Sequence, residues 1–337
     1  MNTKFDGENV LAPKDAKIFY EQNGYGRLEK DGRLRLDTRE ALYLLARGKI
    51  EVAGWTFDTL LAECSKKPGF LRSFIVYRDI RERGYVITAG PQDFRIFARG
   101  QKPGNGTSRY LMRVLSERDI IDFSAIIADA KAAANMRKTF ILAVLDDEHE
   151  LTYYAVKTGG LPDKEPQEIP GGLVAVLDGV PACVSEDGTG ITARLAGLWL
   201  GRMLDETRLF LSPVETAWLL ETGRLALIPA LSAQEYIALA GAADSEFLEK
   251  LILYRSLRAQ GFCPRSGYKF GHHFRVYTEA KSHSEMLIHA VPFGTRQSMS
   301  EISRSVRLAH SVRKKMLFAC LDETGELTEI EFARMKM

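Results

Sequence analysis

Side chains that can exchange protons near neutral pH are concentrated late in this 337-residue chain. Histidine has an unperturbed pKa near 6.5, so it can donate or accept a proton under physiological conditions. A basic stretch, 302–315, adds three arginines and two lysines and contains no acid. We therefore expect any acid–base chemistry in this part of the chain. Five of the six histidines lie there: His272, His273, His283, His289 and His310.

The chain also contains one sequence scheme twice. Residues 70–97 begin FLRSFIVYRDIRERGY and end FRIF, while residues 247–277 begin FLEKLILYRSLRAQGF and end FRVY. Each copy spans about 160–175 residues, which is too long for a solenoid repeat and is the size of a domain. We predict a duplicated domain, with a first repeat at 1–157 and a second repeat at 173–337. Two further segment pairs keep the same order: 36–50 with 211–225, and 136–152 with 312–328.

The two repeats differ in their titratable side chains. Two of three candidate groups in the second repeat are replaced by non-titrating residues in the first, while a lysine and the apolar framework are retained. Residues that serve only the scaffold would show no such selective loss. The aligned pairs are Tyr277 with Phe97, His283 with Thr107, and Lys314 with Lys138.

A tyrosine, a histidine and a lysine together suit cleavage of RNA by its own 2′-hydroxyl. That hydroxyl needs a base, the departing 5′-oxygen needs a proton, and the pentavalent phosphate needs positive charge. His283 is suited to donate the proton, and Lys314 to stabilise the phosphate charge. A tyrosine becomes an effective base where cations lower its pKa, and the basic stretch could supply them to Tyr277. This reaction requires no metal and no other cofactor.

Other interpretations of the histidines stay open at this point. Taken singly, each could be a surface residue or a hydrogen-bonded core residue. A zinc site is a second alternative, although neither a cysteine pair nor an H-x-x-x-H helix supplies ligands at a recognised spacing. A two-metal nuclease would need several carboxylates nearby, and the acidic DETGE at 322–326 is better explained as a hairpin turn. We therefore expect no metal site.

Local patterns predict the elements that position these residues. Apolar residues at helical spacing, with N-cap residues or terminal glycines, predict helices over 37–48, 70–83 and 247–260, and a further helix over 299–312. The alternating segments HHFRVYT, SEMLIHAVP, KKMLFACLD and ELTEIEF predict strands. Each repeat is thus expected to be β-rich first, then helical, and then a mixed sheet with one late helix. The Gly- and Pro-rich 158–172 is the expected linker.

Composition is that of an ordinary globular protein, with 45% hydrophobic and 27% charged residues and a net charge of +2. The four cysteines are scattered, which favours a reduced, cytoplasmic setting. No apolar run approaches the roughly 18–20 residues needed to span a membrane, so a membrane partner is not expected.

The second repeat resembles the archaeal tRNA-splicing (intron) endonuclease family. The resemblance covers both repeats, and the two-repeat chain is similar to the fused class, which joins a degenerate and an active copy. The end-of-domain helix and strand are its most specific part. The stretches that carry it are YRSLRAQGF at 254–262, GYKFGHHFRVY at 267–277, HSEMLIH at 283–289 and VRLAHSVRKKMLFA at 306–319.

This resemblance implies a role for individual residues. Tyr277 ends the F-R-x-Y strand and would be the base toward the 2′-hydroxyl. His283 opens the H-S motif and would be the general acid, while Lys314 begins the K-K pair after Arg313 and would stabilise the transition state. Arg307, seven residues before the lysine, would stack on an extruded bulge base. A second stacking arginine is expected near the C-terminus, where Arg334 is the candidate.

The resemblance further implies precursor tRNA with a bulge–helix–bulge as the substrate, 2′,3′-cyclic phosphate and 5′-hydroxyl ends, and no DNA partner. Such an RNA has two scissile bonds, and one chain has one intact triad, so a C₂ homodimer is expected. The acidic tip of Asp146, Asp147 and Glu148 could dock on a partner chain or be a solvated turn. A non-catalytic RNA-binding or assembly subunit is the alternative function, and a metal-dependent nuclease of related fold is a third.

The expected fold class is α/β (α+β) in tandem. Each repeat would have a small N-terminal α+β subdomain and a C-terminal mixed-sheet, nuclease-like subdomain flanked by helices. The contribution of residues 1–60 and 173–235 beyond packing stays open. The expected bounds are 1–68 and 69–157 in the first repeat, 158–172 for the linker, and 173–245 and 246–337 in the second repeat.

Overall fold

The structure is a computed structural model, and it describes residues 1–159, 164–278 and 283–337. The described chain has the mixed α/β architecture expected from the sequence, in two compact units. One unit consists of 1–157 with 296–304 and 332–337, and the other of 158–295 with 305–331. Within the first unit, the short segment at 296–298 pairs antiparallel with 120–122 of the first repeat.

The first repeat contributes eleven strands and five α-helices to the described chain. The strands are β1 (Asn2–Phe5), β2 (Asn9–Ala12), β3 (Arg27–Leu28), β4 (Leu34–Asp37), β5 (Glu51–Val52), β6 (Ile87–Ala89), β7 (Phe94–Phe97), β8 (Ser108–Ser116), β9 (Ile120–Asp122), β10 (Thr139–Leu145) and β11 (Leu151–Thr158). The helices are α1 (Lys17–Asn23), α2 (Thr38–Ala46), α3 (Phe57–Cys64), α4 (Phe70–Glu82) and α5 (Phe123–Asn135).

The second repeat follows the same order. Its described strands are β12 (Leu173–Leu177), β13 (Ala182–Ser185), β14 (Arg202–Met203), β15 (Arg208–Leu211), β16 (Leu225–Ile228), β17 (Cys263–Ser266), β18 (Phe274–Tyr277), β19 (Met286–Val291), β20 (Arg296–Ser298), β21 (Lys315–Leu321) and β22 (Leu327–Met335). Its helices are α6 (Ile191–Gly197), α7 (Pro213–Glu221), α8 (Ala233–Ala243), α9 (Phe247–Ala259) and α10 (Met299–Ser311).

Strand topology repeats as well. The N-terminal sheets have the orders β3-β4-β2-β1-β5 and β14-β15-β13-β12-β16. The C-terminal strands have the order β6-β7-β8-β10-β11 in the first repeat and β17-β18-β19-β21-β22 in the second. In both, the third and fourth strands are parallel, because the helix between them, α5 or α10, carries the chain back to the same edge.

A buried glutamate holds each N-terminal subdomain together. Glu40 and Glu215 stand three residues after an N-cap and close a capping box, which satisfies backbone N–H groups that the first helical turn leaves unpaired. Each also accepts a bond from a glycine N–H one loop away. The donors are Asp37 and Gly26 for Glu40, and Ser212 and Gly201 for Glu215.

A buried arginine joins the two subdomains of each repeat. In the first repeat, Arg81 bonds the Tyr77 hydroxyl at 2.9 Å and the carbonyls of Asn23 and Gly24. Arg258 makes the corresponding bonds to Tyr254, Leu198 and Trp199. An arginine without such partners would leave an uncompensated charge in the core, so these bonds fix both subdomains to the helix that carries the arginine.

The described residues of the predicted linker belong to the second unit. Residues 160–163 of it lie outside the described residues. The remainder packs on the second unit, because the Lys164 N–H donates to the Gln260 carbonyl at 3.1 Å and Ile169 is buried in that unit's core. Among the helices of the described ranges, none is long and apolar enough to cross a membrane.

Candidate functional site

Three neighbouring strands bring the candidate residues to one edge of the C-terminal sheet of the second repeat. Met286, at the start of β19, pairs with Val276 of β18 on one side and with Lys315 of β21 on the other. Tyr277 follows Val276, and Lys314 precedes Lys315. His283 comes three residues before Met286, after residues 279–282, which lie outside the described chain.

Tyr277 is nearly buried, with 5% of its surface exposed. Its ring lies 4.4 Å from the ring of Trp199, centroid to centroid, at an angle of 33°. The guanidinium carbon of Arg275 lies 5.8 Å from the same tyrosine ring. One aromatic ring and one cation therefore lie beside the ring of Tyr277.

His283 and Lys314 line an open cavity of about 1110 Å³. His283 is exposed, and the Lys314 ammonium donates a 2.5 Å bond to the Ser284 carbonyl. Tyr277 is not among the described lining residues. Lysines, an arginine and two histidines line the cavity, which gives it the charge and donor groups that a phosphate needs. The lining consists of His283, Ser284, Glu285, His310, Ser311, Arg313, Lys314 and Lys315.

The backbone before Lys314 orients its side chain, and neighbouring groups lower its pKa. Arg313 adopts a left-handed conformation, with a φ of 56°, at the point where α10 turns into β21. Burial first, and then the charges of Arg275 and Lys269, lower the pKa of Lys314. Arg275 lies near both Tyr277 and Lys314, so it connects the tyrosine side of the site with the lysine side.

The first repeat retains the lysine half of this arrangement. Arg137 has the same φ of 56°, and Lys138 donates a 2.6 Å bond to the Ser108 carbonyl. Thr107, directly before Ser108, stands where the second repeat has His283. Phe97 ends β7, and the strand register shifts between Ile96 and Phe97. The corresponding edge of the first sheet therefore has the lysine but neither the imidazole nor the phenol.

The remaining predicted residues are on the surface. Arg307 is exposed on α10, three residues before the cavity-lining His310, and Arg334 is exposed near the end of β22. Neither arginine is among the described residues that line the cavity. The acidic tip is also exposed: Asp147 pairs with Arg118, and the Asp146 carboxylate accepts the N–H groups of Glu148 and Glu150.

Three other histidines form a separate cluster within the second unit. The rings of His273 and His289 stack at 3.9 Å, and His272 lies 5.7 Å from His289. Burial is the main cause that lowers the pKa of His272 and of His289 to about 4. These two histidines are therefore neutral at physiological pH.

Glu246, His273 and His289 have ligand atoms within 4.8 Å of one another, a spacing that a metal ion could use. The hydrogen bonds argue against that use. The Nδ1 atom of His273 accepts the Ala290 N–H at 3.0 Å, so in the neutral ring the proton is on Nε2. That proton faces Glu246 at 3.3 Å, which leaves His273 with no free lone pair for a metal.

Trp199 and Arg275 are the two site residues that sequence reasoning missed. Trp199 lies far from Tyr277 in the chain, and its place in the N-terminal subdomain gave no reason to connect it with the strand. A usable signal existed, since the repeat alignment pairs Trp199 with Gly24, a large exchange at a conserved offset between the repeats. Arg275 is matched by Arg95, so its alignment carried no such signal.

Comparison with known proteins matches both repeats. The family model described as the tRNA intron endonuclease catalytic C-terminal domain matches residues 70–153 and 247–329. The model of the N-terminal domain of the same enzyme matches 1–61 and 183–236.

Full-length curated proteins align over the whole chain. The tRNA-splicing endonuclease of Methanosarcina acetivorans is 36% identical and that of Methanococcoides burtonii 37% identical, each over 100% of both chains. The tRNA-splicing endonuclease of Natronomonas pharaonis is 32% identical over 98% of each chain. The resemblance inferred from the sequence motifs is thereby confirmed.

Proposed function

The chain belongs to the tRNA intron endonuclease family, and on that premise we propose that it cleaves precursor tRNA at bulge–helix–bulge junctions without a metal ion. The observation that carries the proposal is the contrast between two equivalent sheet edges. One has a tyrosine, a histidine and a lysine, and the other has a phenylalanine, a threonine and a lysine. The products are a 2′,3′-cyclic phosphate and a 5′-hydroxyl.

The proposed reaction assigns one task to each residue. The Tyr277 oxygen takes the proton of the 2′-hydroxyl, whose oxygen attacks the adjacent phosphorus. His283 gives a proton to the departing 5′-oxygen as the P–O bond breaks. The Lys314 ammonium stabilises the negative charge that develops on the phosphate oxygens. Because the nucleophile is the 2′-hydroxyl, DNA is not a substrate.

Arg275 supports this assignment electrostatically. Proton abstraction requires the phenolate form of Tyr277, and the guanidinium carbon of Arg275 lies 5.8 Å from the centre of its ring. The positive charge of Arg275 also contributes to lowering the pKa of Lys314. A phosphate bound between them would offset the repulsion among the cations.

Arg307 is proposed to stack on an unpaired bulge base, and Arg334 to form the second stacking contact. A planar guanidinium suits the face of a splayed base, and recognition of this kind depends on RNA shape more than on sequence. Excision of an intron needs two cuts, and each chain has one complete set of catalytic groups. We therefore propose a two-fold homodimer as the active species.

The test is incubation of the protein with a minimal bulge–helix–bulge RNA in excess EDTA. We expect two cuts, 5′ ends that a kinase labels without prior dephosphorylation, and 3′ ends blocked by a cyclic phosphate. Loss of cleavage in EDTA with rescue by magnesium would support a metal-dependent nuclease instead. RNA binding without cleavage would support a non-catalytic subunit, and the particle mass in solution tests the dimer.

A further inference from the structure

Trp199 occupies a backbone conformation that ordinary residues avoid. Its φ is 59°, in the left-handed region where glycine is favoured because it has no Cβ. The equivalent residue of the first repeat is Gly24, with a φ of 64°. Two contacts establish the equivalence. Both carbonyls accept a bond from the buried arginine, and both residues stand two before the glycine that donates to the capping glutamate.

The backbone of Trp199 is held from two directions. Arg258 donates to its carbonyl at 2.8 Å, and Arg265 donates to the same oxygen at 3.2 Å. The indole therefore projects from a fixed point, and it covers the ring of Tyr277 at 4.4 Å. Two rings at this distance and a 33° tilt are in direct contact, so the indole restricts the rotation of the tyrosine.

This contact is absent from the first repeat for a steric reason. A Cβ added at Gly24 would come within 2.9 Å of the Lys102 side chain and 3.0 Å of Val86, which is closer than side-chain carbons approach. The space that an indole would need is thus filled. The residue that Trp199 covers in the second repeat is Phe97 in the first, so the indole occurs only where there is a phenol to position.

Core packing does not account for the tryptophan. The hydrophobic core of the second unit contains its chain neighbours Leu195 and Leu200, but in the described residues neither Trp199 nor Tyr277 is part of that cluster. A packing residue also gains nothing from a left-handed backbone. Strain of this kind persists where the surroundings impose it, and it concentrates at functional sites.

We propose that Trp199 is a positioning residue for Tyr277. It clamps the phenol ring from the N-terminal subdomain and holds the hydroxyl in the orientation from which it takes the 2′-hydroxyl proton. This inference rests on the proposed function, because it requires Tyr277 to act as the base. It adds a task for the N-terminal subdomain of the second repeat, which supplies one wall of the catalytic site.

The test compares Trp199→Gly, Trp199→Phe and the matched control Trp55→Gly, all as full-length protein on the bulge–helix–bulge RNA. Trp55 packs edge-on against Phe5 in the other unit, so its loss removes a tryptophan elsewhere. Single-turnover rates at saturating protein, RNA dissociation constants, pH–rate profiles and circular dichroism spectra are measured for each.

We expect Trp199→Gly to cleave about 10–100-fold more slowly, since a misplacement of about 1 Å can cost 10²-fold. Its RNA affinity should stay within about threefold of wild type, and its pH profile should keep its shape because no titrating group is lost. Trp199→Phe, which restores a ring, should recover most of the rate. Trp55→Gly should cleave like wild type. Should Trp199→Gly fail to fold, Trp199→Asn replaces it, because asparagine tolerates the left-handed conformation.

Three outcomes would overturn the inference. They are a Trp199→Gly rate equal to wild type, a rate loss that Trp199→Phe does not rescue, and a rate loss matched by an equal loss of RNA affinity. Wild-type protein that leaves the RNA intact would instead overturn the proposed function, and the inference with it. Cleavage by the wild-type protein therefore distinguishes failure of the inference from failure of the proposed function.

Discussion

In both repeats an arginine with a left-handed backbone stands two residues after the end of a helix, and the next residue is a lysine whose ammonium donates a hydrogen bond to a backbone carbonyl. The bond is 2.6 Å long from Lys138 to Ser108 and 2.5 Å long from Lys314 to Ser284. At the equivalent positions near this shared contact, the first repeat has Thr107 where the second has His283, and Phe97 where the second has Tyr277. The lysine contact is therefore a property of the fold, and what distinguishes the second repeat is the proton-transferring pair.

The histidine cluster shows a second difference between equivalent positions. Strand register matches His289 to Arg113, since His289 faces Phe318 as Arg113 faces Leu142. Arg113 forms a 2.5 Å ion pair with Asp129, whereas His289 stacks on His273. One scaffold thus accommodates either an ion pair or stacked imidazole rings at this position.

The largest effect is expected when the proposed acid, His283, and its counterpart in the first repeat, Thr107, are each replaced by alanine. His283→Ala should lower the single-turnover rate by about 10²–10⁴-fold, because the leaving oxygen loses its proton donor, while RNA affinity is nearly kept. Thr107→Ala is the matched control and should cleave at the wild-type rate. A His283→Ala protein that cleaves normally would remove the acid assignment.

The two lysines provide the next largest contrast. Lys314→Ala should lower the cleavage rate by about 10²–10³-fold through lost charge stabilisation. Lys138→Ala loses an equivalent carbonyl bond and should leave the rate within about twofold, with a similar change in unfolding free energy. Equal rate losses in both variants would mean that the lysine acts only through the fold. Rates and urea unfolding curves measure the two effects separately.

Stability at acid pH should distinguish the two repeats. The pKa of His272 and of His289 is about 4 in the folded protein and near 6.5 when unfolded, so the unfolded chain takes up protons first. Their contribution is present above pH 6.5 and is lost as pH falls toward 4, by roughly 2–3 kcal/mol for each. Urea unfolding between pH 7 and 4.5 measures this loss.

Replacing both His272 and His289 by phenylalanine should flatten that pH dependence. His149→Asn is the control, because His149 is an exposed turn residue of the first repeat with a left-handed backbone, which asparagine tolerates. An unchanged pH slope in the double variant would show that other groups cause the acid sensitivity.

A smaller effect, on RNA affinity, is expected when the exposed Arg307 is replaced. Arg307→Ala should weaken binding of the bulge–helix–bulge RNA by about 1–3 kcal/mol, the usual value of one base-stacking contact. The equivalent residue on α5 is Lys131, which is also exposed, and Lys131→Ala should bind the RNA like wild type. Titration of labelled RNA at fixed salt measures both. Equal losses would indicate a general charge effect.

No change in cleavage rate is expected from Phe97→Tyr. Phe97→Tyr restores the phenol in the first repeat but neither the imidazole at Thr107 nor the indole at Gly24. In a His283→Ala background it should add no cleavage above the residual rate of His283→Ala alone. A double variant that cleaves faster than His283→Ala would mean that the alignment of the two repeats at this edge is wrong.

Sequence alone determined the features that depend on local pattern. The duplication, the helix expected over 37–48, the strand that ends at Tyr277 and the strand that follows Lys314 all follow from residue spacing within short windows, and the structure has them close to where they were expected. The fold class and the family were also predictable, because two copies of one pattern reinforce each other.

Only the tertiary structure decided what depends on residues distant in the chain. It set the indole of Trp199 against Tyr277, packed the second half of the supposed linker on the second unit, and placed residues 296–304 in the unit built by the first repeat. It also revealed that His273 is committed to the Ala290 N–H and Glu246. These contacts are set by burial and by the pairing of backbone groups across the fold, and no local periodicity encodes them.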